Sequence, residues 1–204
     1  MNGLRACLLS GGASRRMGTD KALLPHPAGG TWLAFSLTRL AALPLPITLF
    51  SHHRAHHALA VPLRDGLGNA ITTLEEPPPR EGPLLALDRL MALYPDQGLL
   101  LCPVDMPWLE TSALEALVAA ATKAAASPSA PAAIHLAHDG RRLQPLLGVY
   151  PAHADRRRRL RSFTAAGGRR LQDWLAGEAV VAVPLPPRGL RNANRPDDAS
   201  GLWP

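Results

Sequence analysis

The sequence predicts a single α/β domain of three layers, in which a mostly parallel sheet is covered by helices on both faces. Short apolar runs alternate with segments of helical periodicity along nearly the whole chain. Several of these runs are apolar throughout, which is typical of parallel strands that are buried on both faces. The 204 residues suit one domain, and no internal repeat or linker divides them.

The first half of the chain begins with an apolar run at 4–10 that ends in small residues, so we expect a buried strand that leads into a loop. The proline-rich stretch 77–83 must be a loop, because proline is excluded from helix interiors and central strands. Strands are expected at 4–10, 46–50, 70–75 and 98–104, and helices at 31–42, 52–60 and 84–94.

The second half continues the alternation and adds a pair of neighbouring strands. Two runs separated by Gly140 predict strands at 133–139 and 143–150 that pair with each other. A surface loop is expected at 127–132, where serine, alanine and proline cluster. The remaining predicted elements are helices at 111–126, 153–165 and 169–176 and a late strand at 179–185.

Charge and aromatic content narrow the class of ligand. The net charge of +6 is compatible with nucleic acid, a membrane surface or small anions. Aromatic residues make up only 4% of the chain, which leaves few platforms on which single-stranded bases could stack. Small molecules that carry phosphate fit this composition better, although an arginine-rich surface without a specific partner also explains the charge.

Nothing in the sequence indicates a membrane or an oxidising compartment. No apolar run is long enough to cross a bilayer, and the first residues lack the pattern of a signal peptide. Cys7 and Cys102 each lie in an apolar run and lack CxxC spacing, so we expect buried thiols rather than a disulfide or a zinc pair. We expect a cytoplasmic protein without a membrane or nucleic-acid partner.

The segment 10–21, SGGASRRMGTDK, has the most specific chemical pattern. Gly11 and Gly12 follow a strand and place no Cβ between their backbone N–H groups and an anion. Arg15 and Arg16 offer guanidinium groups that match phosphate oxygens, and Lys21 adds an ammonium group. The segment is neither a Walker loop nor a GxGxxG dinucleotide motif. We interpret it as a triphosphate-binding loop, with an ordinary strand-to-helix turn as the alternative.

A carboxylate follows the apolar run at 98–104. Asp105 stands between Pro103 and Pro107, at the point where the predicted strand ends. Ligands of open α/β sheets bind outside the carboxyl ends of the strands, so we expect Asp105 to face the same crevice as the glycine-rich loop. Mg²⁺ needs only one or two carboxylates when phosphates and waters complete its coordination. The alternative is an aspartate that caps a helix or stabilises a turn.

Five motifs in one order resemble the molybdenum cofactor nucleotidyltransferases, and most closely the guanylyltransferases. The loop SGGASRRMGTDKALL resembles the family's (A/S)GGxSxRMGxDKxLL signature, and CPVDMPWL resembles its CxxDxPxL metal motif. The other three are EGPLLA at 81–86, which resembles PGPLAG, HDGR at 138–141 with QPL at 144–146, which resembles HDG…PL, and NANRPD at 192–197, which resembles NxNTPE.

The resemblance implies a Rossmann-like fold of the nucleotide-diphospho-sugar transferase type. It implies transfer of GMP from GTP to molybdopterin that carries molybdenum, with release of pyrophosphate and with Mg²⁺ as the cofactor. Transient contact with molybdoenzymes or their chaperones is a further partner expectation. Residues 1–109 would bind the nucleotide and the metal, and residues 110–204 would bind the acceptor.

The resemblance also assigns roles to particular positions. Lys21, Asp105 and Arg16 would be catalytic, and Asp105 would hold Mg²⁺. Arg16, Asn192 and Asn194 would face the acceptor. The nucleotide would contact Ser10, Gly11, Gly12, Lys21, Ser51, Glu75, Gly82, Pro83 and Asp105.

Some positions depart from the family pattern around the nucleoside. Ser10 stands where the family often has Ala, Ser51 where it often has Asn, Glu75 where Asp is common, and Ala86 replaces a Gly. A cytidylyltransferase and a sugar-phosphate nucleotidyltransferase are therefore alternatives, and a non-catalytic partner that delivers the cofactor is the alternative outside enzymes. The HDG stretch favours the guanylyl assignment.

Two further clusters of charged or titratable residues have alternative interpretations. His52, His53, His56 and His57 have a spacing that metal sites use, but with no carboxylate nearby in sequence we expect a surface cluster. Arg156–Arg159 with Arg161 predict a solvated helix face, or else a surface that meets the phosphate of the acceptor.

Overall fold

The computed structural model describes residues 3–11, 19–78, 82–126 and 132–193. Seven strands lie in these ranges: β1 (Leu4–Leu9), β2 (Ile47–Ser51), β3 (Thr72–Glu75), β4 (Gly98–Pro103), β5 (Ile134–His138), β6 (Leu143–Pro151) and β7 (Val180–Pro184). They form one sheet in the order β3-β2-β1-β4-β6-β5-β7.

The sheet is mostly parallel, as the sequence predicts, with one reversed strand. The β1–β2, β1–β4, β2–β3 and β5–β7 pairs are parallel, whereas β6 runs antiparallel to both β4 and β5. Strands β5 and β6 are the predicted neighbouring pair. Because β6 is reversed, its end at Pro151 pairs with Gly98, the first residue of β4. The end of β6 therefore lies at the sheet edge opposite the ends of β1, β2 and β4.

The helices connect these strands and lie close to their predicted bounds. None of the helices in the described ranges combines the length and the apolar character that crossing a bilayer requires. They are α1 (Trp32–Ala41), α2 (Arg54–Ala60), α3 (Pro83–Leu93), α4 (Thr111–Ala125), α5 (Ala154–Ala165) and α6 (Leu171–Leu175), with short 3-10 helices at Lys21–Leu23 and Pro187–Leu190.

Two apolar clusters, one on each face of the sheet, make the three layers. Side chains alternate along a strand, so Ala6 and Leu8 of β1 pack under α1 and α4, whereas Cys7 packs under α3, α5 and α6. Every residue of β4 is buried, which explains its uninterrupted apolar sequence.

The two cysteines belong to this core, as expected. Both Cys7 and Cys102 are buried and free, and burial raises the pKa of each thiol to about 12. A thiol with such a pKa stays protonated at neutral pH, so neither cysteine is a nucleophile.

Candidate active site

A pocket of about 530 Å³ opens at the edge of the sheet where β1, β2 and β4 end. Strand β1 lies between β2 and β4. The chain continues from β1 to β2 and β3 on one side of β1, and then crosses through α3 to β4 on the other side. Such a switch point is where open α/β sheets bind their ligands. Six of the predicted site residues line the pocket, namely Ser10, Gly11, Lys21, Gly82, Pro83 and Asp105.

Lys21 and Asp105 form an ion pair in this pocket, although they are far apart in the sequence. Lys21 Nζ lies 3.3 Å from Asp105 Oδ2. The Asp20 carboxylate accepts a hydrogen bond from the Ala22 N–H and so caps the 3-10 helix that presents Lys21. Asp105 lies two residues after the end of β4, and its carbonyl accepts from the Ala193 N–H. Both charges remain partly exposed toward the pocket, with side-chain exposures of 16% and 24%.

Glu76 lines the pocket, whereas the sequence-predicted Glu75 does not. Glu75 is the last residue of β3 and is exposed; the next residue, Glu76, turns inward and is buried. A Cβ added at Gly11 would overlap the Glu76 carboxylate, so the backbone at Gly11 and this carboxylate approach each other closely. The sequence shows two adjacent glutamates. Which of them faces the pocket is determined by where the pairing of β2 with β3 ends, and its last pair is Ser51 with Glu75.

Ser10 and Ser51 lie at the ends of the neighbouring strands β1 and β2. Ser10 is nearly buried and lines the pocket. Ser51 is fully buried behind it and donates its hydroxyl hydrogen to the Ser10 carbonyl at 2.8 Å. The structure therefore places Ser51 beneath the pocket wall, where it supports Ser10.

Gly82 and Pro83 form the start of α3 at the rim of the pocket. Gly82 has a φ of 99°, a left-handed conformation that favours glycine, and Pro83 occupies the first helical position, where its missing N–H costs nothing. The amino-terminal end of α3 thus borders the pocket and adds the partial positive charge of a helix start.

The remaining predicted site residues divide into two groups. Asn192 is half-buried and precedes Ala193, which bonds to Asp105, so it lies beside the Lys21–Asp105 pair. Gly12, Arg16 and Asn194 lie outside the described residues. The HDG stretch forms the turn between β5 and β6, where Asp139 accepts from the Arg141 and Arg142 N–H groups, and it is not among the residues that line the pocket.

The histidine segment contradicts the expectation of a surface cluster. His56 is only 1% exposed, and its Nε2 lies 2.8 Å from Asp20 Oδ2. His52 lines the pocket, with its Nδ1 3.6 Å from Glu76 Oε2. Sequence reasoning missed the carboxylate partners because Asp20 comes from a different part of the chain and Glu76 is the residue just after β3.

The arginine run is not a uniform solvated face. Arg156 is 2% exposed and donates to Glu178 Oε2 at 2.8 Å and to the carbonyls of Pro151 and Ala132. Helix α5 begins just after β6 ends, at the sheet edge opposite the pocket. Arg156 therefore anchors α5, and contact of the exposed arginines of the run with the phosphate of the acceptor stays a prediction.

The pocket can accommodate a bound divalent cation, although not on protein ligands alone. Within the described ranges, no three His, Cys, Asp or Glu side chains form a group that could hold a metal ion. Asp105 supplies one partly exposed carboxylate, and this matches a Mg²⁺ ion that takes its other ligands from phosphates and water.

This geometry is that of a nucleotidyltransferase-type α/β protein: a mostly parallel sheet with a lysine and a carboxylate beside a glycine at the carboxyl ends of its central strands. The chain belongs to the MobA-like NTP transferase family, whose domain model matches residues 6–181.

Relatives and solved structures agree with this membership. A probable molybdenum cofactor guanylyltransferase from Rhodopirellula baltica is 36% identical, over 96% of this chain and 89% of the relative. One from Synechococcus elongatus is 33% identical, over 97% of this chain and 96% of the relative. The crystal structure of molybdopterin-guanine dinucleotide biosynthesis protein A from Archaeoglobus fulgidus has the same fold, with a TM-score of 0.71, 16% identity and coverage of 97% and 96%.

Proposed function

We propose that this chain transfers GMP from GTP to molybdopterin, releasing pyrophosphate and giving the guanine dinucleotide form of the cofactor. The observation that supports the reaction type most directly is the Lys21–Asp105 pair, which lies in one pocket with Ser10 and Gly11. The names of the relatives support molybdopterin as the acceptor and GTP as the donor.

The reaction needs positioning and charge neutralisation more than proton transfer. A phosphate oxygen of the acceptor is already anionic at neutral pH, so it can attack the α-phosphorus without a general base. Lys21 would neutralise charge on the triphosphate as pyrophosphate leaves, and the start of α3 at Gly82 and Pro83 would add a favourable dipole. Asp105 would hold Mg²⁺, which supplies further positive charge to the phosphates when bound.

Glu76 is our candidate for recognition of the base. Guanine presents two adjacent donors, N1–H and the N2 amino group, and a carboxylate can accept both. Neither adenine nor cytosine presents that pair of donors. Glu76 is buried in the pocket wall, with Arg89 Nη1 4.0 Å and His52 Nδ1 3.6 Å from its carboxylate oxygens, and we expect these side chains to orient the carboxylate for the nucleotide. Ser10 and Gly11 would lie along the nucleoside, with Ser51 and Glu75 contributing indirectly or not at all.

The acceptor would bind on the other side of Asp105. We assign Asn192 to this role because its neighbour Ala193 bonds to Asp105, and we assign Arg16 and Asn194 to it from the family motifs. In this proposal residues 1–109 provide the nucleotide and metal half, and residues 110–204 provide the acceptor half. We expect the reaction to take place in the cytoplasm, with transient contact to the molybdoenzymes that receive the product.

A thermal-unfolding panel with GTP, CTP, ATP and UTP in the presence of Mg²⁺ tests the nucleotide assignment. A ligand that binds only the native state stabilises it by RT ln(1 + [L]/Kd), so GTP should raise the melting temperature most. A larger shift with CTP would indicate a cytidylyltransferase. A larger shift with another nucleotide together with a sugar phosphate would indicate a sugar-phosphate nucleotidyltransferase. Binding of GTP without pyrophosphate release in the presence of molybdopterin would indicate the non-catalytic delivery partner.

A further inference from the structure

The sequence segment 11–19, which contains most of the glycine-rich motif, is bounded by two residues that contact the same side chain. Ser10 is the last residue before it and Asp20 the first after it, and both hydrogen-bond to His56. The imidazole Nε2 lies 2.8 Å from Asp20 Oδ2, and Nδ1 lies 3.1 Å from Ser10 Oγ. His56 therefore bridges the two ends of the motif from α2, a separate element.

The bridge has defined donors and acceptors. An ionised Asp20 carboxylate only accepts, so Nε2 carries the proton of the imidazole. Nδ1 then accepts from the Ser10 hydroxyl at 3.1 Å, because the Ser51 hydroxyl, although only 2.8 Å away, donates its hydrogen to the Ser10 carbonyl. Burial lowers the pKa of His56, and the nearby Asp20 carboxylate only partly opposes this. The lowered pKa favours the neutral ring, in agreement with one donor and one acceptor.

The same Asp20 carboxylate also positions Lys21. Its Oδ1 accepts from the Ala22 N–H, which fixes the first turn of the 3-10 helix. Lys21 is the first residue of that helix and reaches Asp105 at 3.3 Å. A connected set of hydrogen bonds thus runs from the end of β1 through His56 and Asp20 to the helix that presents the lysine.

We propose that His56 is a positioning residue that clasps Ser10 and Asp20, the two residues that flank the glycine-rich segment 11–19, and so preorganises Lys21 for the triphosphate. Its catalytic consequence rests on the proposed function, whereas the clasp itself is a property of the free protein. The residue acts through Asp20 and does not touch the substrate. Fixing the lysine before the nucleotide binds removes an ordering cost from the reaction.

The first experiment requires no activity. Hydrogen exchange at the backbone N–H groups of Ala22 and Leu24 is compared in the wild type, His56→Ala and the control His135→Ala, which removes a buried imidazole from β5, away from the loop. We expect faster exchange in His56→Ala alone. Unchanged exchange in that variant would overturn the clasp, even for an active enzyme. If His56→Ala does not fold, His56→Phe fills the same space without the hydrogen bonds.

The second experiment measures pyrophosphate release from GTP and molybdopterin in a double-mutant cycle. His56→Ala should lower kcat/KM about 10- to 100-fold, the range that a small misplacement of a catalytic group produces. In a Lys21→Ala background the same change should cost little, because its effect passes through Lys21. If the losses of kcat/KM in the two single variants multiplied in the double variant, the proposed effect of His56 through Lys21 would be wrong. A wild type without activity would contradict the proposed function and leave the exchange result as the test of the clasp.

A conservative replacement checks the hydrogen-bond assignment. The glutamine amide has one NH₂ donor and one carbonyl acceptor, as neutral imidazole has one of each. His56→Gln should therefore restore most of the amide protection and most of the rate that His56→Ala loses. A glutamine variant as impaired as the alanine variant in both measurements would contradict this assignment.

Discussion

Two cation–carboxylate pairs lie at opposite edges of the sheet and differ in how completely they are enclosed. In the Arg156–Glu178 pair both side chains are 2% exposed, and Arg156 also donates to two backbone carbonyls. Arg159 adds two further hydrogen bonds to Glu178. In the Lys21–Asp105 pair the side chains are 16% and 24% exposed and line a pocket.

The difference distinguishes a structural ion pair from a functional one. A buried pair whose hydrogen bonds are satisfied within the protein has no capacity left for a ligand, and it holds α5 and the approach to β7 together. A partly exposed pair in a pocket leaves oxygen and ammonium groups accessible to phosphate and metal. Residue type alone does not distinguish the two pairs, since each joins one basic side chain to one carboxylate.

The largest expected effect is on stability, at the enclosed pair. Glu178→Ala leaves the buried Arg156 without its carboxylate, and breaking a buried pair in this way typically costs about 3–5 kcal/mol. Chemical denaturation measures the change in the free energy of unfolding, with Glu115→Ala, an exposed glutamate on α4, as the control. A loss below about 1 kcal/mol would remove the distinction drawn between the two pairs.

The next effect is on rate, at the pocket pair. Lys21→Ala and Asp105→Ala should each lower kcat by about 10²–10³-fold, which is the usual loss when a preorganised charge is removed from a reacting centre. Both variants should fold, because these side chains are partly exposed. Steady-state pyrophosphate release is the measurement, and Lys123→Ala, on the exposed face of α4, is the control. A folded Asp105→Ala enzyme with near-normal Mg²⁺-dependent turnover would contradict the metal assignment.

Glu76 combines features of both pairs, because it is buried yet lines the pocket. Glu76→Gln replaces one acceptor oxygen by a donor, and hydrogen bonds to a charged group contribute about 1.5–3 kcal/mol. The ratio of kcat/KM for GTP over ATP should therefore fall about 10- to 100-fold. Glu75→Gln, one residue earlier and exposed, should leave the ratio unchanged. Equal effects at both positions would argue against base recognition by Glu76.

The smallest effect is the pH dependence of the enclosed pair. Burial raises the pKa of Glu178, but hydrogen bonds and charges from Arg159 and Arg156 outweigh it and hold the pKa below its ordinary value. A carboxylate whose pKa is depressed in the folded state contributes its full stabilisation when the pH is above its unfolded-state pKa of about 4.3. That stabilisation is lost as the pH falls through the folded-state pKa. The stability difference between wild type and Glu178→Gln should therefore shrink below about pH 4. A difference that stays constant to pH 2 would contradict this linkage.

Most of the fold could be predicted because the signals are local. The uninterrupted apolar run of β4 follows from burial on both faces, and the periodicity of 31–42 follows from one buried face of α1. Lys21 and Asp105 could be singled out for the same reason, since Lys21 closes the glycine-rich motif and Asp105 follows the predicted strand 98–104. That the two meet at 3.3 Å is a consequence of the strand order, which places β1 next to β4.

The amino-acid sequence by itself determined the alternation of strands and helices, the buried thiols and the residues that end the central strands. Only the tertiary structure decided that Glu76 rather than Glu75 faces the pocket, that His56 meets Asp20, and that Arg156 is enclosed by Glu178. The physical reason is that burial and pairing of a charged side chain depend on partners from other elements. Sequence separations of 36 residues for His56–Asp20 and 22 for Arg156–Glu178 place those partners beyond any local pattern.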